Sequence, residues 1–178
     1  LLLQTHTLLD GGDAGDALTA ATAFELLHTA LLIHDDLLDA DLVRRGEPNL
    51  QGSFVAEALD AGASLEAATS WAGAAGLLAG DLLISTVHAL LSGLSTPHAA
   101  RIQMIVDECL FATAAGEFAD IGLSVGTLDP TADEISRMMR NKTAAYSFAA
   151  PLRAGAVLAG ADAAHCAELD AIGDELGF

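Results

Sequence analysis

The sequence predicts an all-α protein, and three observations lead to that expectation. The chain is 52% hydrophobic with alanine and leucine dominant, only four prolines interrupt its 178 residues, and aromatic residues make up just 4%. Alanine and leucine are strong helix formers, whereas proline breaks helices. No stretch alternates apolar and polar residues as a half-buried strand does. We therefore expect a helical bundle with a central cavity between facing helices.

Turn and capping signals divide the chain into predicted helices. With a loop at 46–53, we expect helices over residues 1–9, 16–39, 54–60, 64–91, 96–123, 131–142, 143–158 and from 162 onward. Thr96 and Pro97 resemble an N-cap and a first helical position. Thr131 and Glu134 have the spacing of a capping box. Pro151 lies inside a helical pattern and is expected to kink or divide it.

The net charge and the two cysteines indicate which binding partners and which cellular compartment to expect. The chain carries 25 acidic and seven basic residues, a formal net charge of −18, which argues against nucleic acid or an anionic membrane as a partner. Cys109 and Cys166 lie in apolar helical patterns without metal-ligand spacing, so we expect buried free thiols in a reducing compartment. We find no uninterrupted apolar run that would cross a bilayer and no signal peptide. A cytoplasmic protein with one domain over 1–178 is therefore predicted.

One stretch, LLHTALLIHDDLLDADLVRRG, has the pattern of a metal and phosphate site. An apolar helical run is followed by three aspartates and two arginines, namely Asp35, Asp36, Asp39, Arg44 and Arg45. Asp35 and Asp39 are one turn apart on one helix face, where like charges repel and need a positive partner. Carboxylate oxygens suit Mg²⁺, which bridges to phosphates, and arginine forks bind the same phosphates. The alternative, solvated carboxylates at a helix end, is disfavoured by the RRGEP that follows.

This stretch resembles the first aspartate-rich region of the trans-isoprenyl diphosphate synthases, the polyprenyl synthetase family. The similarity covers FELLHTALLIHDDLLDADLVRRGEP, which includes the upstream helix and the downstream arginines. The resemblance implies an isoprenoid synthase-type bundle in which Asp35, Asp36 and Asp39 hold Mg²⁺ against an allylic diphosphate. It further implies that Arg44 stabilises the leaving diphosphate and that Arg45 binds isopentenyl diphosphate.

Two further positions take a meaning from the resemblance. His28 lies two turns before Asp35 and matches a position that contacts isopentenyl diphosphate, although a lone histidine on an apolar helix is usually a core residue. The segment LAGD, which contains Asp81, also recurs in the family. For Asp81 a structural role is at least as plausible as a catalytic one.

Two segments of the second half match the allylic-substrate side of the family's site. In GEFADIG, Asp120 keeps the family's GQxxD pattern, whereas Glu117 replaces the more common glutamine. The segment NKTAAYSFAAP is similar to the family's KTAxYSFxxP. The resemblance implies that Lys142 and Thr143, at a predicted helix junction, contact the allylic substrate, while the alternative is a surface lysine at a helix boundary.

The reaction that the resemblance implies is Mg²⁺-dependent head-to-tail condensation of isopentenyl diphosphate with an allylic diphosphate. Chain length should depend on Ala30 and Leu31, which lie just before the aspartates. Ala30 is small and Leu31 is not aromatic, so a growing tail should pass, which favours geranylgeranyl diphosphate as the product. Family members are commonly homodimers, so a homodimer is expected.

Two family motifs are missing from the sequence, the basic segment before the first helix and the second aspartate-rich region. We therefore expect a partial isoprenoid synthase domain, truncated at both ends. Two alternatives stay open: a terpene cyclase, which shares the fold and a DDxxD, and a non-catalytic partner subunit. The RRG and KT segments argue against a cyclase, because a cyclase needs no second diphosphate site. The missing second motif is the only support for a partner subunit.

Overall fold

The computed structural model of the protein describes residues 1–177, and about three quarters of the chain is helical, as predicted. A π-helical segment, Arg140–Ala149, connects the sixth helix to the seventh. The α-helices are α1 (Leu2–Leu8), α2 (Gly15–Leu38), α3 (Leu50–Asp60), α4 (Leu65–Ser92), α5 (Ala99–Ser124), α6 (Ala132–Met139), α7 (Ala150–Leu158) and α8 (Ala163–Leu176). Two very short strands, β1 (Val43–Arg44) and β2 (Glu47–Pro48), form an antiparallel ladder that the sequence did not predict.

The chain divides into two compact units. The first unit contains Leu1–Phe24 and the residues from His88 onward, and the second contains Glu25–Val87. In the first unit, α5 and α8 pack on the π-helical segment and α1 packs on α7. In the second unit, α3 and α4 enclose a small apolar core around Val55. The expectation of a single domain over 1–178 stays a prediction.

Glycines allow the close helix packing of the first unit. A Cβ at Gly116 of α5 would overlap the backbone nitrogen of Lys142, and one at Gly173 of α8 would overlap the backbone of Ala149. The overlapping atoms belong to the main chain, so no side-chain rotation could relieve the clash. These two glycines therefore set how near α5 and α8 come to the π-helical segment.

Two predicted helix starts are wrong, and local hydrogen bonds give the reason. Helix α3 begins at Leu50 instead of residue 54, because the side chain of Asn49 accepts a hydrogen bond from Gly52 N at 2.8 Å and caps the helix earlier. Helix α5 begins at Ala99. Thr96 accepts a hydrogen bond from His98 N at 3.2 Å and so forms a turn before the helix instead of capping it.

The predicted helix junction at Lys142 and Thr143 is also wrong. Both residues lie inside the π-helical segment, which runs without a break from α6 into α7. Pro151 occupies the first turn of α7, as a residue without an N–H donor can. It lies next to the change from the wider π pattern to the α pattern, and the helical run continues through it without the expected division.

The predicted cap of α6 is confirmed in one of its two hydrogen bonds. Thr131 accepts a hydrogen bond from Glu134 N at 3.2 Å. The carboxylate of Glu134 pairs with Arg137, and Thr131 N donates to Asp129 O at 2.8 Å. The reciprocal bond of a capping box is therefore replaced by a turn before the helix.

Two helices meet the requirements for a membrane span by length and composition alone. Helices α2 and α4 are both long and apolar enough to span a bilayer. Each of them carries a charged residue within its apolar stretch, Glu25 in α2 and Asp81 in α4, so neither is an uninterrupted apolar run. Core helices of helical bundles share the same length and hydropathy.

Both cysteines are buried free thiols, as predicted. Burial raises the pKa of the Cys109 thiol to about 12, because the thiolate would lose its hydration. The nearby Arg153 lowers that pKa, but by less than burial raises it. Cys109 therefore stays protonated at neutral pH and is a poor nucleophile.

We predict that Gly116→Ala destabilises the protein by about 1–3 kcal/mol, because the added methyl group overpacks against backbone atoms. Urea denaturation followed by circular dichroism would measure the change. Gly12→Ala is the matched control, since a Cβ there meets no atom within 4 Å. Equal stability of the two variants would contradict the close approach of α5 to the π-helical segment.

We also predict slow, strongly pH-dependent alkylation of Cys109 in the native protein. In a Cys166→Ala background the rate should rise about tenfold per pH unit from pH 7 to 10, because the thiolate fraction keeps growing below a pKa of about 12. Iodoacetamide labelling read by mass spectrometry would give the rate. A rate that levels off near pH 9, as for an exposed thiol, would show that the residue is not buried as described.

Candidate active site

The aspartate-rich motif folds around one arginine. Arg44 Nη2 lies 2.7 Å from Asp35 Oδ2 and 2.6 Å from Asp36 Oδ1, and Arg44 Nε donates to Asp36 Oδ1 at 2.8 Å. Asp36 is only 4% exposed, so its charge needs this partner. The hydrogen bond to Asp36, reinforced by Asp35, raises the pKa of the Arg44 guanidinium above its usual value. Arg44 is therefore the positive partner that the closely spaced aspartates were expected to need.

A tight hairpin carries Arg44 to the aspartates. Strands β1 and β2 pair Arg44 with Glu47, and the two residues between them, Arg45 and Gly46, have φ values of 57° and 84°. Two consecutive positive φ angles are typical of the type I′ turn that closes two-residue hairpins. Asn49 Nδ2 donates to Asp41 O at 2.8 Å and so ties the base of the hairpin to the start of α3. The glycine after Arg45 was the only sequence signal for this turn.

The other predicted site residues of this region lie along the second half of α2, just after its end, and in the hairpin turn. Asp39 follows the last helical residue and is exposed, and its backbone N–H donates to Asp35 O at 2.9 Å. His28 lies two turns before Asp35 and is partly buried, and Arg45 is exposed. Ala30 has no exposed surface and Leu31 is partly buried, so only Leu31 of this pair reaches accessible space.

The Asp35 and Asp36 carboxylates fit a divalent cation. They already converge on one positively charged atom, Arg44 Nη2, and carboxylate oxygens are the ligands that Mg²⁺ prefers. Within residues 1–177, no three or more histidine, cysteine, aspartate or glutamate side chains are grouped as a ready-made metal site. The fit therefore rests on the donor chemistry and on the shared cation position.

Asp81 has a partner that the sequence analysis missed. His34 Nε2 lies 3.6 Å from Asp81 Oδ1 and 3.4 Å from Leu77 O. A Cβ at Gly80 would overlap the His34 ring, so the glycine makes room for the histidine. These contacts favour the structural interpretation of Asp81.

The first unit holds a second cation between two carboxylates. Lys142 Nζ lies 2.6 Å from Asp120 Oδ2 and 3.1 Å from Glu117 Oε2. The side chains of Lys142 and Glu117 are 20% and 15% exposed, so the contacts are largely shielded from water. The structure thus brings Lys142 to two carboxylates that lie 22 and 25 positions earlier in the sequence. Thr143, next to Lys142, is exposed.

A third cluster was not predicted at all. Arg153 of α7 contacts Glu108 of α5, and its Nη1 lies 3.7 Å from Asp170 Oδ2 of α8. The cluster borders a half-open cavity of about 190 Å³ that Arg140 and Cys109 also line. Burial raises the pKa of Asp170, and the Arg153 charge lowers it by less. The spacing of these residues in the sequence holds no signal that they meet.

Comparison with known proteins identifies relatives along the whole chain. The family model for polyprenyl synthetases matches residues 1–178. A short chain isoprenyl diphosphate synthase from Methanothermobacter thermautotrophicus is 34% identical over 170 residues, covering 94% of this chain and 46% of the relative. A geranylgeranyl diphosphate synthase from Mycobacterium tuberculosis is 35% identical over 174 residues, covering 94% of this chain and 43% of the relative.

A solved structure agrees with the fold. The geranylgeranyl pyrophosphate synthase from Corynebacterium glutamicum, complexed with isoprenyl diphosphate and magnesium, matches with a TM-score of 0.84 and 28% identity, over 93% of this chain and 46% of that one. The predicted all-α isoprenyl synthase fold is thereby confirmed. This chain spans less than half the length of these three relatives. Since the family model covers all 178 residues, the chain belongs to the polyprenyl synthetase family.

Proposed function

We propose that the intact polypeptide containing these residues is a trans-prenyltransferase. It condenses isopentenyl diphosphate with an allylic diphosphate head to tail and forms a short-chain prenyl diphosphate. The observation that carries the proposal is the Asp35–Asp36 pair, which converges on one cation in a chain of the polyprenyl synthetase family. Such a pair can bind a metal–diphosphate complex.

Each predicted site residue has a role in this proposal. Asp35, Asp36 and Asp39 would hold Mg²⁺, which when bound neutralises charge on the allylic diphosphate. Arg44 binds the leaving diphosphate through its forked donors. Arg45 and His28 hold isopentenyl diphosphate, so that its double bond lies beside the reacting carbon. Positioning of this kind supplies much of a bimolecular rate.

Lys142, Thr143 and Asp120, all in the first unit, are proposed to bind the allylic substrate. Lys142 binds the diphosphate as a point charge, and Asp120 orients the ammonium group from 2.6 Å. As the allylic C–O bond breaks, a C–C bond forms to isopentenyl diphosphate. The released diphosphate takes the proton that the isopentenyl unit loses when the new double bond forms. The chemistry needs no side-chain nucleophile.

We further propose geranylgeranyl diphosphate as the product. Ala30 is small and Leu31 is aliphatic, so neither residue places an aromatic ring in the path of the growing prenyl chain, where it would stop elongation early. The relatives are named for farnesyl, geranylgeranyl and geranylfarnesyl products, so they support a short-chain product, and the choice of C20 rests on Ala30 and Leu31.

We propose that the intact polypeptide forms a cytoplasmic homodimer and is not an integral membrane protein. The family relationship supports both statements. Trp71, Leu78 and Leu82 share one face of α4 and are each more than half exposed, at 57%, 60% and 68%. A contiguous exposed apolar face of this kind is typical of a protein–protein interface.

The first test of the function is product formation by the intact polypeptide. With Mg²⁺, labelled isopentenyl diphosphate and C5, C10 or C15 allylic primers, we expect one product near C20 by reversed-phase chromatography. A C15 product would keep the synthase and refute the role of Ala30 and Leu31. A cyclised hydrocarbon would indicate a terpene cyclase, and no incorporation by folded protein would indicate a partner subunit.

We predict that Asp35→Asn lowers kcat roughly 100- to 1000-fold, because it removes a charge from the carboxylate pair proposed to bind the cation. Steady-state kinetics with the best allylic primer would measure the loss, and circular dichroism would verify folding. Asp41→Asn is the matched control, since it removes an exposed carboxylate six residues later. If both variants lost activity equally, the effect would reflect net charge and not the motif.

A further inference from the structure

We propose that Glu117 sets how strongly Lys142 holds an anion. Its carboxylate fixes the position of the Lys142 ammonium group and at the same time weakens the binding of a diphosphate there. Glu117 is in this sense a positioning residue that acts through Lys142, and it does not bind the substrate itself. The inference rests on the proposed function, because it takes Lys142 to bind the diphosphate of the allylic substrate.

Lys142 lies between two carboxylates that come from one face of α5. Its Nζ is 3.1 Å from Glu117 Oε2 and 2.6 Å from Asp120 Oδ2. Glu117 and Asp120 are three residues apart, so their side chains project from the same side of the helix. The three groups together carry one positive and two negative charges. An anion that approaches the ammonium group therefore also approaches two carboxylates that repel it.

Of the two carboxylates, that of Glu117 is the more shielded from water. The Glu117 side chain is 15% exposed, compared with 36% for Asp120. Water screens a charge less well as the charge becomes buried, so the repulsion between Glu117 and a bound anion is stronger at a given distance. Removing the Glu117 charge is therefore expected to raise the affinity of Lys142 for anions.

Packed main chains hold Glu117 beside Lys142. A Cβ at Gly116, the residue before Glu117, would overlap the backbone nitrogen of Lys142 and the carbonyl carbon of Asn141. The main chains of α5 and the π-helical segment are therefore in direct contact next to the ion pair. Because both partners project from these packed helical segments, the contact between Glu117 and Lys142 does not depend on the position of a loop.

The residue type at position 117 points to a role of charge and not of size. Glutamine, which the family more commonly carries here, has nearly the same shape as glutamate but no charge. Its amide oxygen can still accept a hydrogen bond from Lys142, so the ammonium group keeps a partner. Glu117→Gln therefore isolates the charge, and it is expected to fold. Glu117→Asp does the opposite, because it keeps the charge and shortens the side chain.

The first test measures the affinity of metal-free protein for inorganic diphosphate, by ³¹P NMR titration in the presence of EDTA. We expect the Kd of Glu117→Gln to fall about fivefold relative to the wild type, which is the effect of one unit charge about 4 Å away in water. The Kd of Glu117→Asp should stay within about twofold of the wild-type value, because the charge remains nearby. In a Lys142→Met background, Glu117→Gln should have no effect, since the anion is no longer held beside residue 117.

Glu108→Gln is the matched control. Glu108 lies nine residues earlier on α5 and contacts Arg153, which also contacts Asp170, so this variant too removes one of two carboxylates from a cation. Nine residues of α-helix span about 13 Å, which exceeds the Debye length of about 8 Å at physiological ionic strength. The Kd of Glu108→Gln should therefore change by less than about twofold.

Steady-state kinetics of the intact polypeptide with Mg²⁺ would separate the charge of Glu117 from its positioning role. Glu117→Gln should lower the KM for the allylic diphosphate about fivefold and leave the KM for isopentenyl diphosphate within about twofold. Glu117→Asp should instead lower kcat about tenfold, because Lys142 loses a contact that fixes it. A general folding defect would not tighten the binding of one substrate alone, so an allylic KM that is unchanged or raised in Glu117→Gln contradicts the proposal.

The outcomes distinguish this proposal from the proposed function. If Glu117→Gln binds diphosphate no more tightly than the wild type, the role of Glu117 is refuted, while product formation by the wild type leaves the proposed function standing. An equal gain in Glu117→Gln and Glu108→Gln reduces the effect to net charge and also refutes it. Diphosphate binding that is absent, or that Lys142→Met does not weaken, overturns the role of Lys142 and with it both the proposal and the allylic part of the proposed function.

Discussion

The neutralisation of carboxylates by a small number of cations is the constraint on which the rest of this structure depends. The chain has 25 acidic residues and only seven lysines and arginines. Three of those seven cations each contact two carboxylates, namely Arg44, Lys142 and Arg153. Each cation also connects different elements of secondary structure. These ion pairs therefore link β1 to α2, the π-helical segment to α5, and α7 to both α5 and α8.

The same pairing links the stability of the fold to the proposed chemistry. Arg44 and Lys142 are the cations proposed to bind diphosphates, and both already neutralise carboxylates of the protein. A diphosphate bound at either cation would therefore share it with carboxylates that the cation already neutralises.

Backbone proximity determines where these charges meet. Gly116 lets α5 approach the π-helical segment at Lys142, one turn from Asp120, and Gly80 leaves room for the His34 ring beside Asp81. A methyl group at either position would push the partners apart. The wider winding of the π-helical segment also changes which residues share a face near Lys142. Small residues thus position the charged ones, although they make no polar contact themselves.

The sequence by itself determined the all-α fold, the aspartate-rich motif and the cap at Thr131, because helix propensity, charge spacing and N-cap hydrogen bonds act within a few residues. It did not predict the hairpin at Arg45 or the π-helical segment, since these depend on unusual backbone conformations with weak residue preferences. Only the tertiary structure decided that Arg44 pairs with two of the aspartates and that Lys142 lies against Asp120. These contacts join residues that are separated along the chain, and packing of the backbone, which no local pattern encodes, brings them together.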